Sequence, residues 1–110
     1  MKIIISGSPG FDDYEFMKAR ADEFIRKSKA VTVEILSSGE RGASMFGEWY
    51  AQERGYPLRT FASAEKMAAC ANAALVFWDG KDAGDLGMAI AAQNKGLKTK
   101  LYCNCREEGE

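Results

Sequence analysis

"KIIISGSPGF" (residues 2–11) decides how the fold begins. Its first half is a continuous apolar run ended by a glycine, which is the pattern of a short strand covered on both faces. Its second half combines glycine, serine and proline, which is typical of a loop. Beyond it, apolar side chains recur at helical spacing from Tyr14 to Ile25, and Asp12 and Asp13 precede them as capping candidates. The stretch therefore predicts a strand, a loop and a helix, the opening of a βαβ unit.

The same alternation continues along the whole chain. The predicted strands are residues 2–6, 31–37, 58–62, 74–78 and 99–103, and the predicted helices are about 13–29, 43–54, 63–71 and 86–96. Short connections, right-handed crossovers and one reversal of strand order predict an α/β fold: a Rossmann-like three-layer sandwich with a five-stranded parallel sheet in the order 3-2-1-4-5. We expect one domain over residues 1–105, followed by a solvated tail at 106–110.

Composition narrows the class of protein. In 110 residues, a hydrophobic fraction of 46% and a charged fraction of 28% are ordinary for a soluble globular domain. No apolar run approaches the roughly 20 residues that span a bilayer, and the N-terminus lacks the pattern of a signal peptide. Three cysteines are an odd number for a disulfide framework. We therefore expect a cytoplasmic protein in a reducing compartment, with no membrane partner.

Charge and histidine content exclude several kinds of chemistry. The net charge of −1 disfavours broad nucleic-acid binding. The chain has no histidine, the commonest general base at neutral pH and the commonest zinc ligand. Cys103 and Cys105 could indicate metal or redox chemistry, but they supply too few ligands for a closed zinc site, and we favour a strand end and tail. The sequence therefore predicts no metal and no cofactor.

Three glycine-bearing loops follow predicted strands. The first loop is "SGSPGF" (residues 6–11), the second loop is "SGERGAS" (residues 38–44) and the third loop is "WDGKDAGD" (residues 78–85). Because parallel strands end at one edge of the sheet, we expect these loops to meet there, at the switch point where ligands bind. Glycines let main-chain N–H groups approach a ligand, and helix N-termini favour anions. The loops therefore predict a phosphate site, although none is a dinucleotide fingerprint or a P-loop.

Individual side chains in these loops have two readings each. Arg41 either presents its guanidinium to a phosphate or stays in solvent. Asp79 either accepts ribose hydroxyls or bonds its own main chain in a turn. Trp78 either stacks on a base or packs against a helix. Asp85 either caps the last helix or faces the ligand. These alternatives stay open at the level of sequence.

The three loops resemble motifs of the SLOG superfamily, in particular its small YspA-type branch. Residues 6–14 resemble S-G-S-R-x-F-x-D-Y, residues 38–44 resemble G-G-A-R-G-A-D, and residues 77–88 resemble F-W-D-G-x-S-x-G-T-x-x-M. The resemblance covers nearly the whole chain. It implies a Rossmann-like fold that binds nucleotides or nucleotide-derived signals, often as a homodimer.

The departures from these motifs bear on activity. Pro9, Ser44 and Asp85 replace the arginine, the aspartate and the threonine or serine of the family pattern, and the family's R-N segment before the fourth strand is missing. The related Lonely-guy phosphoribohydrolases carry a glutamate that helps break the bond between base and ribose. Its place falls here on Met88, which cannot transfer a proton.

The sequence therefore favours a protein that binds a nucleotide or a nucleotide-derived small molecule without turnover, as in sensing or sequestering a signal in conflict between phages and their hosts. One alternative is a hydrolase that cleaves an N-glycosidic bond through Asp79 or Asp85; a third, lower-ranked hypothesis is single-stranded DNA binding. A homo-oligomer is expected, in which Phe46, Trp49 and Tyr50 pack either against a partner or against their own sheet. The predicted ligand-binding residues are Gly7, Ser8, Phe11, Gly39, Arg41, Gly42, Ser44, Asp79, Gly80, Gly84 and Asp85.

Overall fold

The computed structural model describes residues 1–8, 10–39, 43–78 and 87–103, which form one five-stranded parallel sheet with helices on both faces. The strand order is β3-β2-β1-β4-β5, as predicted. The elements in chain order are β1 (Lys2–Gly7), α1 (Tyr14–Ser28), β2 (Glu34–Ser37), α2 (Ala43–Arg54), β3 (Leu58–Thr60), α3 (Ala64–Cys70), β4 (Ala73–Trp78), α4 (Gly87–Asn94) and β5 (Lys98–Cys103).

The order reverses at β1, which is the central strand. Ile3 pairs with Ile35 of β2 on one side and with Ala73 of β4 on the other, and every strand pair is parallel. All five strands therefore end at the same edge of the sheet, called here the carboxyl edge. In parallel sheets of this kind, ligands bind beyond that edge at the reversal.

The second strand is shorter than its β-branched sequence predicts. It begins at Glu34 rather than at residue 31, and Val31 is 98% exposed. Its pairing with β1 begins at Lys2 with Glu34, and the N-terminal ammonium of Met1 donates a hydrogen bond to the carbonyl of Thr32. Ladder pairing with β1 therefore starts only at Glu34, and the β-propensity of the preceding residues does not extend β2 beyond it.

The third strand also ends early, at Thr60 instead of residue 62. The Phe61 N–H still donates to the Ser37 carbonyl, at 2.9 Å. The chain then turns into α3, where the Ser63 side chain accepts the Lys66 N–H and caps the helix. A helix cap two residues beyond Phe61 therefore limits the length of this edge strand.

The first helix agrees closely with the predicted one. The Asp13 carboxylate accepts the Phe16 N–H at 3.0 Å, so Asp13 rather than Asp12 is the N-cap. Lys29 ends the helix in the left-handed conformation, with φ of 57°. α1 thus occupies nearly the whole of the predicted range 13–29.

The two faces of the sheet carry different cores. Between the sheet and helices α1 and α2, the core is rich in large and aromatic side chains, which include Ile3, Ile5, Phe11, Met17, Phe24, Ile35, Tyr50, Leu75 and Phe77. Below α3 and α4 it consists mainly of small side chains and methionines, which include Ile4, Leu36, Met67, Ala68, Ala74, Val76, Met88 and Ala92. β4 contributes to both, since Phe77 and Val76 point to opposite faces.

Residues 1–8, 10–39, 43–78 and 87–103 contain no helix long and apolar enough to cross a membrane. They also contain no group of three histidine, cysteine or acidic side chains arranged to hold a metal ion. Cys70 is a free, exposed thiol, whereas Cys103 is disulfide-bonded.

Candidate functional site

Ser8, directly after β1, joins three elements at the carboxyl edge. Its N–H donates to the carbonyl of Phe77 in β4 at 2.9 Å, and its carbonyl accepts the N–H groups of Phe11 at 3.1 Å and of Ala43 at 3.4 Å. Ala43 is the first residue of α2, so the end of the second loop is held against the first loop. The residue itself is fully buried. The ends of β1 and β4 and the start of α2 therefore meet at Ser8.

Gly7 allows this close approach. Its φ is +153°, and a Cβ built on it would lie 1.9 Å from the carbonyl oxygen of Phe77. No side chain fits at that distance from a main-chain oxygen. The spacing between the ends of β1 and β4 thus depends on a glycine at this position.

The second loop is closed by serine side chains. The Ser37 hydroxyl donates to the carbonyl of Ser44 at 2.9 Å and accepts the Gly39 N–H at 3.0 Å. The Ser38 hydroxyl donates to the Ser44 hydroxyl at 3.0 Å. Ser37 and Ser44 are buried. These bonds tie the end of β2 to the first turn of α2.

A carboxylate that we did not predict lies beside the second loop. Glu48 Oε2 is 3.4 Å from the Ser37 hydroxyl, and it would be 3.4 Å from a Cβ built on Gly39, whose φ is +79°. Glu48 is half-buried. The signal was present in the sequence, because Glu48 follows Ser44 by four residues and shares its side of the helix.

The match to known proteins covers the part of the chain that builds these two loops. The sequence model described as YAcAr: YspA, cpYpsA-related SLOG family matches residues 1–66, more than half of the 110 residues. The chain belongs to this SLOG family. No curated protein and no solved structure matches it. Membership suggests a nucleotide-related ligand or a related function. The third motif, residues 77–88, lies outside the matched segment.

Phe11 was predicted to contact the ligand of the SLOG domain, and its ring lies in the core. It is 3% exposed, and its ring centroid is 5.5 Å from that of Phe77 and 6.2 Å from that of Phe46. Together with its main-chain bond to Ser8, this packing fixes the end of the first loop. A direct contact between Phe11 and a ligand stays a prediction.

Several main-chain amides in the two loops are engaged within the protein. The N–H groups of Ser8, Gly39 and Ala43 donate to Phe77, Ser37 and Ser8, respectively. These three amides hold the loops together, so an anion at this edge would need hydrogen-bond donors other than these three. One source is the N-terminal end of α2, whose first turn carries no acidic side chain and whose dipole favours negative charge.

Six predicted ligand-binding residues lie outside the described residues: Arg41, Gly42, Asp79, Gly80, Gly84 and Asp85. The five that the structure describes are Gly7, Ser8, Phe11, Gly39 and Ser44. Hydrogen bonds and ring contacts join the loops that carry these five at the carboxyl edge. Their contact with a ligand stays a prediction, as does the contact of the other six.

Met88 is the residue that the motif resemblance aligns with the glutamate of the phosphoribohydrolases. It lies in α4, is 7% exposed and belongs to the core of small side chains and methionines. A buried thioether there packs against its neighbours and transfers no proton.

Two hydrogen-bonded clusters join α1 to α2. The Tyr50 hydroxyl donates to Asp22 at 2.5 Å, and the Arg54 guanidinium donates to both oxygens of the same carboxylate. Burial raises the pKa of the Tyr50 phenol above its ordinary value, and the hydrogen bond to Asp22 raises it further. Tyr50 is fully buried against its own sheet, so it is not a partner surface.

The second cluster involves the first two turns of α1, and both of its hydrogen bonds are exposed. The Tyr14 hydroxyl donates to Glu53 at 2.7 Å, and the Lys18 ammonium donates to the same carboxylate at 2.6 Å. The hydrogen bond from Lys18 is the main cause that lowers the pKa of Glu53, and burial is the main cause that raises the pKa of Tyr14. The two clusters thus tie residues 14–22 of α1 to residues 50–54, the C-terminal part of α2.

Proposed function

We propose that this SLOG protein binds a nucleotide or a nucleotide-derived small molecule at the carboxyl edge and does not turn it over. The observation that carries the proposal is the junction at Ser8, which brings the first loop, the end of β4 and the start of α2 together at the reversal of the sheet. Family membership supports the chemical class of the ligand.

The roles within this proposal follow the geometry of the loops. The start of α2 and the side chains of the first and second loops hold phosphate, with Arg41 as the main cationic donor. In this proposal Asp79 and Gly80 lie near the ribose. The buried Met88 supports binding without turnover, because the glutamate used by hydrolytic relatives has no counterpart at that position.

The bound molecule in this proposal is a signal, which the protein senses or sequesters. We also propose a cytoplasmic homo-oligomer. Trp49, which is 49% exposed on α2 and packs on Phe46 and Tyr14, supplies aromatic surface for such an assembly.

Calorimetric titration of the purified chain with the 5′-monophosphates of adenosine, guanosine, cytidine and uridine tests binding. Arg41→Ala should weaken the binding by about ten- to a hundredfold, the size of a lost charge-assisted hydrogen bond. Arg26→Ala is the matched control, since Arg26 is exposed in the last turn of α1, far from the carboxyl edge.

The same samples are assayed by chromatography for free base, and none is expected. If none of the four nucleotides binds at millimolar concentration, the proposed ligand class is wrong. If base appears with wild-type protein and is lost in Asp79→Asn, the protein is a hydrolase and the absence of turnover is refuted.

A further inference from the structure

The Glu48 carboxylate occupies a specific place at the carboxyl edge. It reaches from the second turn of α2 to the end of β2, where Oε2 lies 3.4 Å from the Ser37 hydroxyl. The adjacent Gly39 has a positive φ and no side chain, so nothing on that residue covers the carboxylate. A negatively charged group therefore borders the loop to which phosphate binding was assigned.

Hydrogen bonding leaves this carboxylate with unused acceptor capacity. Within residues 1–8, 10–39, 43–78 and 87–103, Ser37 is its one polar side-chain neighbour at hydrogen-bond distance. The single Ser37 hydroxyl proton is directed to the carbonyl of Ser44, at the shorter distance of 2.9 Å. Glu48 is thus an acceptor that receives little from the described part of the chain, whereas an ionised carboxylate has about four acceptor positions.

Charge decides which part of a nucleotide fits beside it. A phosphate placed against Glu48 would be repelled, and this repulsion is stronger at a half-buried site than in bulk water. A sugar hydroxyl is a donor, and the two oxygens of a carboxylate can accept from one or both hydroxyls of a ribose. We infer that Glu48 accepts a hydrogen bond from the 2′- or 3′-hydroxyl of the bound nucleotide.

This inference rests on the proposed function and assigns the phosphate and the ribose to different parts of the site. The phosphate lies toward the start of α2, and the ribose lies toward Glu48, about one helical turn further along that helix. The carboxylate then acts as a specificity determinant in two ways. It favours ribose over deoxyribose, and it disfavours nucleotides that carry a second phosphate on the ribose.

The test compares wild-type protein with Glu48→Gln, which keeps the size of the side chain and removes its charge. The probes are the four ribonucleoside 5′-monophosphates, their 2′-deoxy and 3′-deoxy counterparts, and adenosine 3′,5′-bisphosphate. Wild-type protein should prefer at least one ribonucleotide over one of its deoxy counterparts by about tenfold, the size of one hydrogen bond to a charged acceptor. In Glu48→Gln this preference should fall at least about threefold, and the bisphosphate should bind more tightly than to wild type.

Glu23→Gln is the matched control. It makes the same change of charge on the surface of α1, where Glu23 pairs with Arg20 and Lys27. This control should leave every affinity and every preference as in wild type. Thermal unfolding of both variants shows whether either substitution disturbs the fold.

The outcomes distinguish failure of the proposed function from failure of the inference about Glu48 alone. If wild-type protein binds none of the nucleotides, the proposed function fails and the inference fails with it. If ribonucleotides bind, but deoxy forms bind equally well and Glu48→Gln changes no preference, the inference alone is overturned. If Glu48→Gln weakens all probes equally and lowers the unfolding temperature, Glu48 only holds the second loop, which also overturns the inference.

Discussion

The first and second loops lie at the same edge and are held in different ways. The first loop is fixed by main-chain contacts, in which Gly7 lies against Phe77 and Ser8 bonds to β4 and to α2. The second loop is fixed by hydroxyl groups, in which Ser37 bonds both to the first turn of α2 and to Gly39.

The difference shows what each loop can tolerate. Main-chain contacts depend on the absence of a Cβ and so restrict one position very strongly. Hydroxyl contacts depend on single polar atoms, so a substitution removes a bond without forcing the strands apart. The contacts of the first loop therefore fix the distance between the ends of β1 and β4. The hydrogen bonds of the second loop hold the first turn of α2 against the end of β2.

The strongest test of this contrast is Gly7→Ala. The added Cβ would collide with the Phe77 carbonyl oxygen, and the residue would keep a positive φ. We expect the free energy of unfolding to fall by about 3 kcal/mol or more, measured by urea denaturation. The control is Gly55→Ala, where φ is +75° but nothing lies within 4 Å of the new Cβ; it should cost about 1 kcal/mol. Equal losses in the two variants would mean that the close approach of β1 and β4 is unimportant.

An intermediate effect is expected for Ser37→Ala in the second loop. The substitution removes the Ser37 hydroxyl from the buried Ser44 carbonyl and from the Gly39 N–H, and so breaks the side-chain link between the end of β2 and the first turn of α2. We expect a loss of about 2 kcal/mol in the free energy of unfolding.

Ser28→Ala is the matched control for that variant. Ser28 also donates to a carbonyl, that of Ile25, and accepts a main-chain N–H, that of Ala30. It is only half-buried, at the end of α1, so water can replace its bonds and the loss should be clearly smaller. If Ser28→Ala costs as much as Ser37→Ala, burial of the second loop does not matter.

The smallest effect is expected away from both loops, at the Tyr50–Asp22 bond between α1 and α2. Tyr50→Phe removes the hydroxyl, while Arg54 still binds the Asp22 carboxylate. We expect a loss of about 1 kcal/mol at neutral pH, measured by urea denaturation.

This bond also has a pH dependence. Because the pKa of Tyr50 is raised in the folded protein, its contribution is complete below the unfolded value of about 10 and is lost as the pH rises above it. Wild-type stability should therefore fall more steeply than that of Tyr50→Phe above pH 10. Parallel curves for the two proteins would exclude a titrating role for this phenol. Tyr14→Phe, whose phenol is more exposed, should show a weaker difference.

The strand order and the convergence of the first two loops were predictable from local patterns. Apolar runs of four to six residues alternate with helical periodicity, and parallel strands joined by short crossovers leave few arrangements. The prediction was wrong at the start of β2, where pairing with β1 rather than β-propensity sets the first residue. It was also wrong at the end of β3, where the Ser63 cap turns the chain into α3.

The roles of individual polar groups were less predictable. The sequence marks glycines and serines in the loops, but it does not say whether an amide faces a ligand or another part of the chain. Ser8, Gly39 and Ala43 use their amides internally, and Glu48 reaches the edge from a helix whose sequence reads as ordinary.

By itself, the sequence determined the α/β class, the order of the elements and the edge at which the first two loops meet. These follow from periodicity and chain connectivity, which are local properties. Only the tertiary structure decided that Gly7 must approach the carbonyl of Phe77 and that Glu48 lies beside Gly39. Each of these contacts joins residues from two different elements of the fold. The distances between them are fixed by how the strands and helices pack.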